Sequence, residues 1–203
     1  MIAIVVVGAI LLMRGTGGGG DVEGSQAPPV TDQDWIKGNT TSTVTLIEYS
    51  DFQCPACGAY YPILKQVFEE YGDRIQFVYR HFPLRNIHPN AEPAARAAEA
   101  AGKQGKFWEM HDMIFENQTT WSGFASVIST FEGYAQELGL DIEQFRQDLT
   151  DGAIADQVQG DYNGGLDAGV NSTPTFYLNG QKLDNPRGLE PFKQVIEEAL
   201  AGN

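Results

Sequence analysis

One stretch constrains this chain more than any other. The β-branched, apolar run Val44-Thr-Leu-Ile-Glu-Tyr49 passes through a short loop into Cys54-Pro-Ala-Cys57. A nearly continuous apolar strand is expected where a sheet is buried on both faces. Beyond the loop, Tyr60, Ile63, Leu64, Val67, Phe68 and Tyr71 recur at helical spacing, which predicts a helix from about Cys54 to Tyr71. Pro62 lies inside it, removes one backbone donor and should kink it, and Gly72 ends it. Ile75–Arg80 (IQFVYR) reads as a second strand. A helical crossover between the two strands makes them parallel neighbours.

The next ninety residues read as helices. Ala94, Ala97, Ala98 and Ala101 give a small-faced helix, and Phe107, Met110, His111, Ile114 and Phe115 a second. A third stripe runs from Phe124 through Val127, Ile128, Phe131, Tyr134 and Ala135 to Leu138, and Asp141 caps a fourth helix carrying Ile142, Phe145 and Leu149. Strand signals return at Thr175–Leu178, turn at Asn179-Gly180 and continue over Gln181–Leu183. Pro191, Phe192, Val195, Ile196, Ala199 and Leu200 mark a closing amphipathic helix. The order is β-α-β, a helical block, then β-β-α, an α/β domain.

The N-terminal run Ile2–Met13 is unbroken and apolar, followed by Arg14 and a glycine-rich stretch. Twelve helical residues rise only ~18 Å, short of a ~30 Å hydrocarbon core. Residues 1–14 therefore read as a hydrophobic anchor or signal remnant whose first residues precede this sequence. Residues 15–30 read as a flexible linker that stiffens at Pro28-Pro29. Together they predict a domain held outside the cytoplasm, tethered to the cell membrane, or secreted if the segment is a cleaved signal.

Cysteine usage points to chemistry. The chain has two cysteines, Cys54 and Cys57. A disulfide-stapled mini-protein and a four-cysteine zinc site within one chain are both excluded. Cys54 falls at the first turn of the helix, where unpaired amides and the macrodipole favour thiolate over thiol. Such sites have a pKa of ~3.5–7.5 against ~8.5 for a free cysteine. Pro55 suits a first helical position, since its missing donor costs nothing there. Cys54, nearer the surface, is the sulfur expected to attack and be attacked, and Cys57 the one that resolves a mixed disulfide. Glu48, six residues earlier in the strand, should approach the sulfurs from beneath with a raised pKa and pass protons to Cys57. Thr173-Pro174 opens the next strand and could be a cis bond beside the cysteines, with the Thr173 backbone pairing with a substrate peptide. The plainer alternatives are an exposed Glu48 and a trans turn at Pro174. No metal site is expected, because His81, His88 and His111 are not spaced with the cysteines and read as surface or capping groups. Thirteen Lys and Arg against 27 Asp and Glu leave a net charge of −14, which argues against nucleic acid as a partner.

These residues resemble the DsbA-like branch of the thioredoxin superfamily. Glu48–Cys57 (EYSDFQCPAC), His81–Leu84 (HFPL), Ala94–Ala101, Gly105–Phe115 (GKFWEMHDMIF) and Thr173–Gly180 (TPTFYLNG) carry the resemblance, which runs from about Trp35 to Leu200. It implies a thioredoxin-like fold over residues 31–203 with a helical subdomain inserted at about 88–168. It also implies Cys54 as nucleophile, Cys57 as resolving cysteine, Glu48 as buried acid and Thr173-cis-Pro174 as the substrate-side loop. The active-site spacer is Pro55-Ala56, whereas the most oxidising family members carry a histidine after the proline, so a milder oxidant is expected. The activity implied is thiol–disulfide oxidation of exported proteins with free thiols. No cofactor is implied beyond the Cys54–Cys57 disulfide. The expected protein is a monomer, reoxidised by a quinone-linked membrane partner. The alternatives are a disulfide reductase or isomerase on the same fold, and a non-catalytic peptide-binding envelope module.

Overall fold

The computed structural model describes residues 26–202. The expected anchor, residues 1–14, lies outside the described residues, as does most of the expected linker. The last residues of that linker lie against the domain: the Ala27 amide donates to the Gly180 carbonyl (3.2 Å), and Arg80 holds the Pro28 and Pro29 carbonyls (both 2.9 Å).

A five-stranded mixed sheet organises the domain. In chain order its strands are β1 (Trp35–Gly38), β2 (Thr45–Ser50), β3 (Gln76–His81), β4 (Thr175–Leu178) and β5 (Gln181–Lys182), arranged β1-β3-β2-β4-β5. The strands β2 and β3 are parallel and joined by helix α1 (Pro55–Tyr71). The other pairings are antiparallel. The β4–β5 hairpin turns at Asn179 and Gly180, both with positive φ, as a two-residue turn between twisted strands requires.

Alternation along β2 assigns each residue to a layer. Leu46 and Glu48 face α1 and the C-terminal helix α8 (Leu189–Ala201), with Leu64, Val67, Phe176, Phe192 and Ile196 in the same core. Ile47 and Tyr49 face the opposite side, a smaller core with Val78, Phe82, Val170 and Tyr177. The sheet is thus covered on both faces, which explains why β2 reads as an unbroken apolar run.

Between β3 and β4 run α2 (Ala91–Gly102), α3 (Phe107–Glu116), a short α4 (Gln118–Trp121), α5 (Ile128–Glu137), α6 (Ile142–Leu149) and α7 (Gly152–Asp167). The alanine face of α2 is fully buried, and its small side chains let α3, α6 and α7 pack close. Asp141 caps α6, accepting from the Gln144 amide at 3.0 Å.

Three expectations need correction. The strand β1 is absent from the sequence reading, because four residues at a sheet edge, three half-buried and the last exposed, carry no alternation long enough to register. The stripe assigned from Phe124 enters helix only at Ile128, and Phe124 is left exposed. Helix α7 also carried no assignment of its own. Its glycines lower helix propensity, yet Gly165 is required: a Cβ there would sit 2.6 Å from the Phe82 ring.

Candidate active site

Cys54 is the N-cap of α1, with extended backbone, and Cys57 lies inside the first turn. Pro55 and Ala56 between them are exposed, whereas Cys54 is 7% exposed and Cys57 not at all. Both cysteines are in the reduced form here. The Cys54 thiol points at the Thr173 carbonyl (3.4 Å), and the Thr173–Pro174 peptide bond is cis. The Asp51 amide donates to Cys57 Sγ at 3.5 Å.

The two sulfurs differ sharply in acidity. The Cys57 thiol hydrogen-bonds Cys54, and this chiefly lowers the Cys54 pKa to about 5. Partial burial opposes the shift, and the Thr173 side chain and the amides of Cys57 and Ala56 add to it. The sequence argument from helix-start amides therefore names a real contribution that is not the largest one. Cys57 is pushed well above 9 by burial first, then by its bond to Cys54 and by the negative charges of Cys54 and Glu48. Cys54 is a thiolate at neutral pH while Cys57 keeps its proton.

Glu48 lies on the face of β2 that meets α1, between Tyr79 of β3 and Phe176 of β4. It is 2% exposed, with the Ser50 hydroxyl donating to it at 2.8 Å. Burial raises its pKa to about 8, the Ser50 bond lowers it in part, and the Cys54 charge adds to the rise. A cavity of about 200 Å³ opens beside it, lined by Lys37, Glu48, Lys65, His111 and Asp112 among apolar side chains. The structure thus brings Cys54, Cys57, Glu48, Thr173 and Pro174 to one place, with Pro55 and Ala56 as the exposed rim.

Sequence reasoning missed the residues that hold this loop. Asp51 Oδ1 accepts from the amides of Gln53 (2.7 Å) and Cys54 (3.1 Å). Gln53 in turn donates to the Ser122 carbonyl and accepts from the Asn90 amide, tying the active-site loop to the helical block. Gln118 donates to the carbonyls of Phe52 and Cys54. The only available sign was an Asp three residues before Cys54, typical of a local Asx turn. His81 and His111 are buried and His88 is only partly exposed, which corrects the expectation of surface or capping groups for the first two. His81 pairs with Glu99 (2.9 Å), which also accepts from the Trp35 indole, and His111 pairs with Asp112 (2.8 Å). His88 meets Asp51 at 2.8 Å. Among the described residues no cluster of three or more potential metal ligands occurs.

A family model described as thioredoxin matches residues 30–198. The Na(+)/H(+) antiporter NhaA 1 of Salinispora arenicola is 37% identical over 175 residues, covering 86% of this chain and 26% of the antiporter. The NhaA 1 antiporter of Mycobacterium sp. strain KMS is 38% identical over 174 residues, covering 84% and 27%. The chain spans about a quarter of the length of these curated relatives. Oxidised BdbD from Bacillus subtilis superposes with a TM-score of 0.75 at 23% identity, over 88% of this chain and 99% of that one. Wolbachia pipientis alpha-DsbA1 gives 0.76 at 22% identity, over 86% and 94%. At such identities the likeness is one of fold.

Proposed function

This chain belongs to the thioredoxin family and carries the DsbA-like form of its fold, and on that premise we propose that it is a thiol–disulfide oxidoreductase that oxidises exported proteins. The observation that carries the reading is the split in acidity between two sulfurs one helical turn apart, with a protonatable carboxyl buried behind them.

In the forward reaction the pair begins as a Cys54–Cys57 disulfide. A substrate thiolate attacks Cys54 Sγ, a substrate–Cys54 bond forms and the Cys54–Cys57 bond breaks. Cys57 leaves with the electron pair and takes a proton from Glu48, whose pKa of about 8 lies below that of the Cys57 thiol. A second substrate thiolate then attacks the substrate sulfur of the mixed disulfide and expels Cys54. Stabilisation of the Cys54 thiolate makes it the better leaving group. The substrate loses two electrons and the pair gains them. Glu48 recovers its proton through the cavity beside it.

No cofactor beyond the sulfur pair enters this cycle. The pair is returned to the disulfide by a quinone-linked membrane partner, and the domain works as a tethered, extracytoplasmic monomer. The apolar run Ile2–Met13 and the acidic composition support that setting. The sodium–proton exchange in the names of the curated relatives belongs to those proteins, of which this chain matches about a quarter.

Oxidation of a reduced, unfolded model substrate tests the proposal. Wild-type protein in its disulfide form should regenerate the substrate's disulfides, and Cys54→Ser should lose that activity at least a hundredfold. Full activity in Cys54→Ser, or none in wild type, overturns it. Equilibration with glutathione fixes the direction, a potential near cytosolic poise marking a reductase instead.

A further inference from the structure

Asp51 stands three residues ahead of Cys54 with its side chain wholly buried. Besides the Gln53 and Cys54 amides on Oδ1, its Oδ2 accepts from the Leu84 amide (2.8 Å) and from Nδ1 of His88 (2.8 Å). Three of the four partners are backbone amides, which can only donate and which together suit a carboxylate, and against a carboxylate oxygen the His88 Nδ1 takes the protonated tautomer. This carboxylate opposes the nucleophile through its charge: it shares the Cys54 amide with the Asp51 carbonyl (3.0 Å), and the Cys54 sulfur is only three bonds from that amide, which holds the two anions within roughly 7 Å of each other. The hydrogen bonds that hold Cys54 as a thiolate work against that charge as well as against burial.

His88 is placed to offset that charge. It lies in the loop between β3 and α2, fixed at both sides by backbone bonds from its amide to the Leu84 carbonyl (2.9 Å) and from the Ala91 amide to its own carbonyl (3.1 Å). Its ring is 16% exposed, while the Asp51 side chain is fully enclosed. The other charges of this segment, Arg85 and Glu92, pair with each other at 2.6 Å and so are engaged elsewhere. The Ala56 side chain in the exposed spacer offers the sulfur neither donor nor charge, leaving only its backbone amide to do so.

We propose that the Asp51–His88 pair sets the acidity of Cys54 and, through it, the redox potential of the Cys54–Cys57 couple. By binding Oδ2, His88 draws the carboxylate's charge away from the sulfur. Asp51 and His88 are positioning residues that touch no substrate. The inference rests on Cys54 being the nucleophile of the proposed oxidoreductase. Its test reads the equilibrium of that sulfur and not turnover, so the two readings fail separately.

Two equilibria on the full chain decide it: the ultraviolet absorbance of the Cys54 thiolate against pH, and the exchange of the disulfide form with two reduced glutathione molecules to give the dithiol and one oxidised glutathione. His88→Ala should raise the Cys54 pKa by about one unit and shift the glutathione equilibrium about tenfold toward the disulfide, about 30 mV. His88→Gln, which keeps an uncharged donor, should shift it less. Asp51→Asn should move both readings the opposite way, and adding His88→Ala to Asp51→Asn should change nothing more. Asp51→Asn also weakens the contact to the Leu84 amide, so the two variants at the partly exposed His88 carry the test if it folds poorly. A folded His88→Ala protein whose glutathione equilibrium moves less than twofold overturns the proposal. So does an equal shift from His88→Ala with and without Asp51, because His88 would then act by another route.

Discussion

Glu48 and Asp51 lie three residues apart, are buried to the same degree, and are held in quite different ways. Glu48, in mid-strand, has its backbone committed to the sheet and receives one side-chain donor, Ser50. Asp51, where the chain has left the sheet, collects three backbone amides and an imidazole. Burial penalises the charged form of both, and the donors it meets decide whether that penalty is offset. A carboxyl with one donor becomes a proton store, and one with four becomes a fixed anchor. Loop amides are free to turn toward a side chain, whereas strand amides are not, so the ladder itself starves Glu48 of partners.

The largest effect that would break this contrast is the pH dependence of stability at Glu48. Its folded-state pKa, about 8, lies above the ordinary value of 4.5. Between those values the folded protein holds a proton that the unfolded chain has released. The contribution of Glu48 to stability is therefore fully present below about 4.5 and is lost as pH rises toward 8. Glu48→Gln, neutral throughout, should lose that slope. In the reduced form it should match wild type at pH 4 and exceed it by roughly 4 kcal/mol at pH 8. Urea unfolding across that range measures the difference. A difference that stays flat with pH would mean that Glu48 is no proton store.

Asp51→Ala comes next. It leaves the Gln53 and Leu84 amides and the His88 ring without their acceptor in an enclosed loop, while the Cys54 amide keeps the Asp51 carbonyl at 3.0 Å. A loss of about 3 kcal/mol is expected from denaturant unfolding at pH 7. A loss under 1 kcal/mol would show that the loop keeps its shape without the carboxylate.

The same contrast explains what was legible in the sequence. Glu48 and the cysteines could be placed because strand alternation and helix-start geometry are local. An acid in an apolar strand is buried, and a cysteine at a helix N-cap meets the first amides. The closing β4–β5 hairpin was legible for the same reason, its Asn179-Gly180 turn being dictated by two adjacent residues. Asp51 showed only its local Asx turn to Gln53 and Cys54, because its other two partners, Leu84 and His88, lie more than thirty residues along the chain. The histidines read as surface groups for the same reason: Glu99 and Asp51, which hold two of them, are brought near by the fold. Helix α7 shows the converse. Gly160, Gly164 and Gly165 argue against a helix locally, yet Gly165 admits the Phe82 and Tyr49 rings against the helix, and that packing outweighs propensity.

The smallest effect is also the sharpest probe of donor count. Ser50→Ala removes the one hydroxyl bonded to Glu48 without changing the strand or opening a cavity of any size. That bond lowers the Glu48 pKa against the pull of burial, so its loss should carry the carboxyl above about 8, by up to about one unit. Because the bond favours the charged form, the stability difference from wild type should widen as pH rises, reaching about 1 kcal/mol near pH 9. Titration of the Glu48 carboxyl carbon by NMR reads the shift directly. An unmoved pKa would mean that Ser50 orients the carboxyl without stabilising its charge. The difference between the two acids would then have to come from the field of Cys54 and not from their donors.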